Sequence, residues 1–207
     1  MAGAVRWRMD EAVAVLKRDK EFRPIIKRVG DVELKQHKPY FWLLCCAILA
    51  QQVSGAAART IIGRFRALYP KERFPSPASV RKTSAVKLRT AGVSRQKARY
   101  LNAKAEAFDR GNLKGVRFSR LSDEEILERL TATVGIGRWT AEMFLMFSMR
   151  RRDVFPVDDL GVRKGMDQLF GIRDIPKMIE RAERWRPYRT VASVYIWRAL
   201  DQTLPGD

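Results

Sequence analysis

The chain has 207 residues, 46% of them hydrophobic, with 41 Lys and Arg against 23 Asp and Glu and a formal net charge of +18. This hydrophobic fraction excludes a mainly disordered chain, and the length suits one large domain or two small ones. The positive charge indicates a polyanionic partner, either nucleic acid or an anionic membrane surface. The longest apolar run, Phe41–Ala50, is far shorter than the ~20 residues that span a bilayer, so nucleic acid is favoured.

The N-terminal part predicts two short helices and one long buried helix. Apolar residues at helical spacing predict helices over Asp10–Asp19 and Phe22–Val29. The uniformly apolar stretch that begins at Pro39 predicts the central helix of a bundle, with Gln51 and Gln52 at its polar end. Both glutamines read most simply as ordinary helix-end residues.

Three more helices are predicted in the middle of the chain. One is an amphipathic helix after Gly55, and another is a short helix capped by Ser76. The third covers Arg95–Phe108 and carries a run of basic residues. That run most simply forms a solvated face, although the turn at Gly92 before it could be a phosphate contact. The basic residues of the run are Arg95, Lys97, Arg99 and Lys104.

A helix, a glycine turn and a second helix follow each other at about 122–149. Ser122 and Glu125 have the spacing of a capping box, which begins the first of these helices. The turn is Gly135-Ile136-Gly137, and an apolar helix is predicted over Arg138–Met149. Glycines let the turn's N–H groups and those of the next helix approach a phosphate, with Arg138 directly beside them. On its own, such a hairpin could equally serve only to pack two helices.

An acidic pair, Asp158 and Asp159, begins the next helical pattern, and two further helices are predicted over Pro176–Trp185 and Pro187–Asp201. There is no alternating strand pattern and no fixed repeat, so the sequence predicts an all-α fold. An isolated Asp at a helix start is usually an N-cap. Adjacent carboxylates can also bind metal, but a metal nuclease needs more acidic ligands, and Glu142 is the single nearby candidate.

Several aromatic side chains occur near these motifs. Trp139 follows the hairpin directly and Trp197 lies in the last predicted helix. Aromatic residues in helices are mostly core, but a pocket walled by Trp can stack an extruded cationic base. Cys45 and Cys46 are adjacent, which suits neither a disulfide nor a metal site, so we expect buried thiols. His37 is the single histidine and has no catalytic partner in the sequence pattern.

Four motifs in register resemble the helix-hairpin-helix (HhH-GPD) DNA glycosylases, and most of all their 3-methyladenine DNA glycosylase II branch. The resemblance covers about residues 40 to 200, and its motifs are AILAQQVS, VGIGRWTAEMFLMF, FPVDDLGVRKG and ERWRPYR followed by YIW. It implies an enzyme that binds and bends duplex DNA, flips a damaged base into a cleft between two helical subdomains and cleaves the N-glycosidic bond.

The family's functional positions match individual residues of this chain. The resemblance implies that Asp159 is catalytic, with Asp158 the less favoured choice, and that Trp139 and Trp197 line the base pocket. It places Gln52 in the gap left by the flipped nucleotide. It also implies DNA contacts by the hairpin and the helix start, and a Na⁺ or K⁺ ion held by the backbone carbonyls of Val134 and Ile136. The expected DNA-contacting residues of the hairpin are Gly135, Ile136, Gly137, Arg138 and Thr140.

This chain departs from the glycosylase family pattern at three points, and these departures narrow the predicted activity and cofactor. Bifunctional relatives carry a Lys where this chain has Trp139, so we expect no AP lyase activity. The two adjacent cysteines cannot build the four-cysteine iron–sulfur loop of the endonuclease III-like branch, and we expect no required cofactor. Because few residues precede Pro39, we expect this chain to be a compact version without the extra N-terminal α/β domain of the bacterial alkylbase enzyme.

The sequence thus predicts a monofunctional glycosylase for alkylated bases such as 3-methyladenine and 7-methylguanine. The alternatives are a glycosylase of the same fold for hypoxanthine, uracil or oxidised purines, and a non-catalytic DNA-binding module. The predicted subdomains are 1–38 with 150–207, which carries Asp159, and 39–149. The N-terminus lacks the apolar segment of a secretory signal. We therefore expect a reducing compartment, either the cytoplasm (nucleoid) or the nucleus. We also expect a monomer that binds damaged duplex DNA and no membrane.

Overall fold

A computed structural model describes residues 9–32 and 39–200, and every regular element in these two segments is helical. The predicted all-α fold is confirmed. His37 and the predicted end of the last helix at Asp201 lie outside the described residues. No helix in the described segments is long and apolar enough to cross a membrane.

The helices in chain order are α1 Met9–Leu16, α2 Arg23–Val29, α3 Tyr40–Ala50, α4 Gly55–Ala67, α5 Pro77–Arg81, α6 Ala85–Thr90, α7 Arg95–Asp109, α8 Asp123–Thr131, α9 Arg138–Met143, α10 Leu160–Phe170, α11 Ile175–Glu183 and α12 Arg189–Ala199. A short 3₁₀ turn, Phe118–Arg120, precedes α8. Chain contacts group the described residues into two compact units, one of 39–149 and one of 9–32 with 150–200.

The unit of 39–149 is built around α3, which the sequence predicted as its buried central helix. Trp42 of α3 stacks on Phe65 of α4 with ring centroids 6.2 Å apart, and Cys45 is fully buried between its neighbours. Burial raises the pKa of the Cys45 thiol well above its usual value, which disfavours the reactive thiolate form. The expectation of a buried structural cysteine is confirmed for Cys45, whereas Cys46 is half-buried.

The unit of 9–32 and 150–200 has an aromatic core around Phe22. Its ring meets Trp185 edge-on at 5.1 Å and Tyr195 at 6.1 Å. Beside this core, Asp19 accepts hydrogen bonds from Trp185 Nε1 at 2.9 Å and from the Arg181 guanidinium at 2.9 Å. Because Asp19 and Arg181 are almost fully buried, each needs the other to offset the loss of hydration.

The helix predicted over Arg138–Met149 differs in its second half. The α-helix ends at Met143, and Phe144–Ser148 winds as a π-helical turn. Four consecutive side chains of this turn, Phe144 to Phe147, are buried. Burying four in a row needs core on nearly every side, so the turn lies inside the unit instead of presenting an amphipathic face.

Helices α10 and α12 pack closely at a glycine. A Cβ on Gly165 of α10 would lie 2.1 Å from Cγ2 of Ile196 in α12, a distance that no real Cβ contact permits. The absent side chain therefore sets how near the two helices approach. Ile196 directly precedes Trp197 in α12, and Gly165 lies in α10, the helix that begins directly after Asp159.

Gly165→Ala should therefore lower the free energy of unfolding by about 1–3 kcal/mol, because the new methyl group must push Ile196 or the α12 backbone away. Chemical denaturation of the purified variant measures this. Gly63→Ala in α4 is the matched control. Its Cβ would meet nothing within 4 Å, so it should stabilise the protein by about 0.5–1 kcal/mol through helix propensity. Equal effects of both changes would contradict the packing argument.

Candidate active site and DNA-binding elements

The Asp159 carboxylate is held by two hydrogen bonds of different origin. Asp159 is the N-cap of α10, and its Oδ1 accepts a bond from the Val162 backbone N–H at 2.8 Å. The same oxygen accepts a bond from Trp197 Nε1 at 2.7 Å. A cap bond aligns the carboxylate with the helix start, and the indole bond prevents it from rotating about that position. The N-cap and the predicted catalytic role are thus compatible.

Its neighbour Asp158 has a different environment. Asp158 is exposed and forms an ion pair with Arg163 at 2.7 Å. An exposed carboxylate neutralised by an arginine is poorly suited to stabilise a second positive charge. The surroundings of the two acids therefore favour Asp159 as the functional one.

Trp197 is buried, with 3% of its surface exposed, in the last turn of α12, a helix that is buried along nearly its whole length. The resemblance implied a stacking role for this ring. The structure adds a contact that the sequence did not predict, the Nε1–H donated to Asp159. Trp197 is therefore at least a positioning residue for the carboxylate.

The predicted hairpin is present between α8 and α9. Gly135 has a φ of 79°, which a residue with a side chain rarely adopts, and Gly137 is the N-cap of α9. The capping box of Ser122 and Glu125 at the start of α8 is formed. Ile136 and Thr140 have buried side chains, so a DNA contact by either would go through its backbone. The first N–H groups of α9 have no intrahelical acceptor and could bind a phosphate.

Arg138 is oriented by a buried acid. Its Nε donates to Glu142 Oε1 at 2.9 Å, with the Arg138 side chain 65% exposed and that of Glu142 4% exposed. The pair spans one turn of α9 and holds the guanidinium at the hairpin end of the helix. Glu142, a candidate metal ligand in the sequence, is thus an ion-pair partner of Arg138. The described residues contain no group of three or more His, Cys, Asp or Glu that could hold a metal.

Gln52 lies in a loop with unusual backbone geometry. It is the second residue after the end of α3, is exposed, and has a φ of 55°. A non-glycine residue in this region costs roughly 1–3 kcal/mol, and such residues are concentrated at functional sites. Trp139, the other residue of the predicted base pocket, is half-buried in the first turn of α9.

A polar groove of about 550 Å³ lies next to this loop, within the unit of 39–149. It connects the Gln52 loop, the beginning of α7 and the hairpin turn. Its lining residues are Gln51, Gln52, Ser94, Gln96, Lys97, Tyr100, Gly135 and Gly137.

The prediction that the basic run of α7 is a solvated face is wrong for Lys104 and incomplete for Lys97. Lys104 is fully buried, and its Nζ donates to the Gly135 carbonyl at 2.9 Å. Burial lowers the pKa of Lys104 to about 8, a shift that the nearby Cys45 partly opposes. Lys97 is half-buried and donates to the Leu49 carbonyl at 2.9 Å, and burial lowers its pKa too. Arg95 and Arg99 are exposed, as predicted.

Known proteins resemble this chain in sequence and in fold. DNA-3-methyladenine glycosylase 1 of Schizosaccharomyces pombe is 36% identical over 198 residues, covering 90% of this chain and 86% of that protein. The structure of 3-methyladenine DNA glycosylase from the same yeast in complex with abasic DNA aligns with a TM-score of 0.82 and 33% identity. That alignment covers 90% of this chain and 94% of the yeast chain.

A bacterial structure gives the same result. The DNA-3-methyladenine glycosidase of Bacillus halodurans aligns with a TM-score of 0.77 and 35% identity, over 91% of this chain and 88% of that chain. Residues 45–189 match the family described as "HhH-GPD superfamily base excision DNA repair protein", and this segment includes the hairpin, Gln52 and Asp159. The chain therefore belongs to the HhH-GPD superfamily of base excision DNA repair proteins.

Proposed function

We propose that this protein is a DNA glycosylase that removes alkylated bases, of the 3-methyladenine and 7-methylguanine type, by hydrolysing the N-glycosidic bond. The names of its relatives support the substrate class. The main structural support for this function is the Asp159 carboxylate, which a helix start and the Trp197 indole hold in one orientation.

Binding to DNA depends on positive charge and on the hairpin. The net charge of +18 supplies sequence-independent attraction to the duplex. The N–H groups at the start of α9 and the oriented guanidinium of Arg138 would then bind a backbone phosphate. A base cannot be attacked inside the stack, so it is extruded, and Gln52 on its exposed loop would occupy the vacated space.

The chemical step follows from charge. Cleavage of the glycosidic bond develops an oxocarbenium-like sugar, and a fixed carboxylate stabilises that positive charge more than it stabilises the uncharged sugar of the ground state. Asp159 supplies this carboxylate and orients the attacking water. An alkylated purine is already cationic and leaves readily, so a strong general acid is not required. Selectivity then comes from the lower cost of extruding a damaged base and from stacking of that base on the half-buried Trp139.

We further propose that the enzyme is monofunctional. A lyase step needs an amine nucleophile that forms a Schiff base with the sugar. Trp139 occupies the position where bifunctional relatives carry a Lys. Lys104 has a lowered pKa, as nucleophilic lysines do, but it is fully buried and its Nζ is bonded to the Gly135 carbonyl. The expected product is therefore an abasic strand without a break.

A monovalent cation at the hairpin also remains a proposal. Val134 and Ile136 both belong to the turn between α8 and α9, and Val134 is 71% exposed. Backbone carbonyls suit Na⁺ or K⁺, which bind oxygen ligands. The ion would add positive charge beside a DNA phosphate, and the catalytic steps described above do not pass through it.

Asp159→Asn should lower the rate of base release by at least about 100-fold, because the variant loses the charge that stabilises the oxocarbenium-like sugar. Asn also caps helices well and can accept both hydrogen bonds, so folding and DNA affinity should be retained. The measurement is release of methylated bases from alkylated duplex DNA, with products identified by mass.

Asp158→Asn is the matched control, since it removes the same charge one residue away and should keep most of the activity. An active Asp159→Asn variant would remove Asp159 from the mechanism. If the wild type released hypoxanthine or uracil and no methylated base, the substrate class would be wrong. A strand break that borohydride traps as a covalent complex would contradict the monofunctional proposal.

Trp197→Phe should reduce the base-release rate about tenfold, an effect equivalent to one lost hydrogen bond to a charged acceptor. The Phe ring retains an aromatic surface, so a loss of this size would come from the freed carboxylate and not from lost stacking. DNA affinity should stay unchanged in a binding titration. A loss of affinity at an unchanged rate would show that Trp197 acts only in base binding.

Arg138→Ala should weaken DNA binding and lower the dependence of log K on log salt concentration by roughly one unit, because one phosphate contact is lost. Titrations at several salt concentrations give this slope. Arg95→Ala, at an exposed position in α7, removes the same charge and serves for comparison. An unchanged slope in Arg138→Ala would exclude Arg138 from the phosphate contacts.

A further inference from the structure

Helix α7 has one face that points toward both predicted DNA-binding loops. Lys97, Tyr100 and Lys104 are three, four and seven residues apart in α7, which places them on the same side of a helix. Lys97 contacts the end of α3, and Tyr100 and Lys104 contact the hairpin turn. Together these contacts connect the Gln52 loop to the hairpin within one compact unit.

At one end of this face, Lys104 and Tyr100 support the hairpin turn. Lys104 donates to the Gly135 carbonyl at 2.9 Å. The Tyr100 ring lies so close that a Cβ on Gly135 would be 2.7 Å from Tyr100 Cδ1. The turn is thus held from its carbonyl side by an ammonium and from its Cα side by an aromatic ring.

At the other end, Lys97 holds the end of α3. It donates to the carbonyl of Leu49, one of the carbonyls in the last turn of α3 that lack an intrahelical donor. A cation is favourable at this end of a helix. The chain leaves α3 one residue later and reaches Gln52, whose φ of 55° requires its flanks to be held firmly.

Burying an ammonium is costly, and a buried apolar side chain would fill the same space without that cost. Lys104 is fully buried, so it cannot touch a phosphate itself. The interaction that offsets its burial is the bond to the hairpin carbonyl. Its effect on a ligand must therefore pass through the position of the hairpin.

We propose that Lys97 and Lys104 are positioning residues for DNA binding, which fix the Gln52 loop and the hairpin turn at one separation along α7. DNA can then engage both loops at once without reordering either, and this preorganisation increases affinity. The inference rests on the proposed function for the identity of the ligand. It assigns a role in this binding to two lysines that act through their bonds to backbone carbonyls.

The test is the affinity of Lys104→Met for a duplex that contains a tetrahydrofuran abasic-site analogue, titrated at several salt concentrations. Met has similar length and no charge, so it fills the space and removes the donor. We expect the Kd to rise about tenfold, as for one lost hydrogen bond from a charged group, with an unchanged salt slope. The slope separates positioning from contact, because a lysine on a phosphate would lower it by roughly one unit.

Base release supplies a second readout. The KM for alkylated duplex should rise with the Kd, and kcat at saturating DNA should stay within about twofold of the wild type, since a bound complex has both loops in place. Lys82→Met, an exposed lysine of the same unit, is the control for loss of one charge and should change the Kd by less than about twofold. Lys97→Met should behave like Lys104→Met, and it is the variant to use if Lys104→Met does not fold.

A Kd within twofold of the wild type for both folded variants would overturn the inference. So would a salt slope lowered by one unit, or a Lys82→Met variant that loses as much affinity as Lys104→Met. The proposed function fails separately, if the wild type binds the abasic duplex but releases no methylated base. In that case the Kd comparison still decides whether the two lysines position the DNA-binding loops.

Discussion

The close packing of α10 against α12 at Gly165 is the constraint on which the candidate catalytic centre depends. With no Cβ at Gly165, Ile196 can lie directly on the α10 backbone. The next residue of α12, Trp197, then reaches the start of α10 and donates to Asp159 at 2.7 Å. Helices are stiff, so a change in spacing at Gly165 moves the indole relative to the carboxylate. A packing contact thereby determines the hydrogen bond that holds the candidate catalytic carboxylate.

The DNA-binding part has a similar design in the other compact unit. Gly135 allows the hairpin to lie against Tyr100, and Lys104 bonds to the carbonyl of the same residue. Arg138 is held in turn by the buried Glu142. In both units a glycine permits a close approach, and a charged or polar side chain then fixes the orientation of the group that the function needs.

The charge distribution matches the two tasks of a glycosylase. A net charge of +18 attracts a polyanion but does not distinguish one base from another. The chemical step needs the opposite sign at one point, because positive charge develops on the sugar. In the proposed mechanism Asp159 supplies it from a helix start, where the N–H groups favour a carboxylate. Since a cationic base leaves without help from a strong acid, one well-oriented carboxylate suffices for the proposed reaction.

Local patterns in the sequence determined much of this protein. The N-caps, the capping box and the glycine turn specify helix ends through contacts within a few residues, and the motif register predicted Asp159 as the catalytic residue. Only the tertiary structure decided what holds Asp159 and the hairpin. Trp197 is 38 residues from Asp159, and Lys104 is 31 from Gly135. The basic run of α7 looks solvated in the sequence because the partner of its buried member is distant. The Gly135 carbonyl, which accepts the hydrogen bond from Lys104, belongs to another segment of the chain. Local patterns carry no information about such partners, which packing alone brings together.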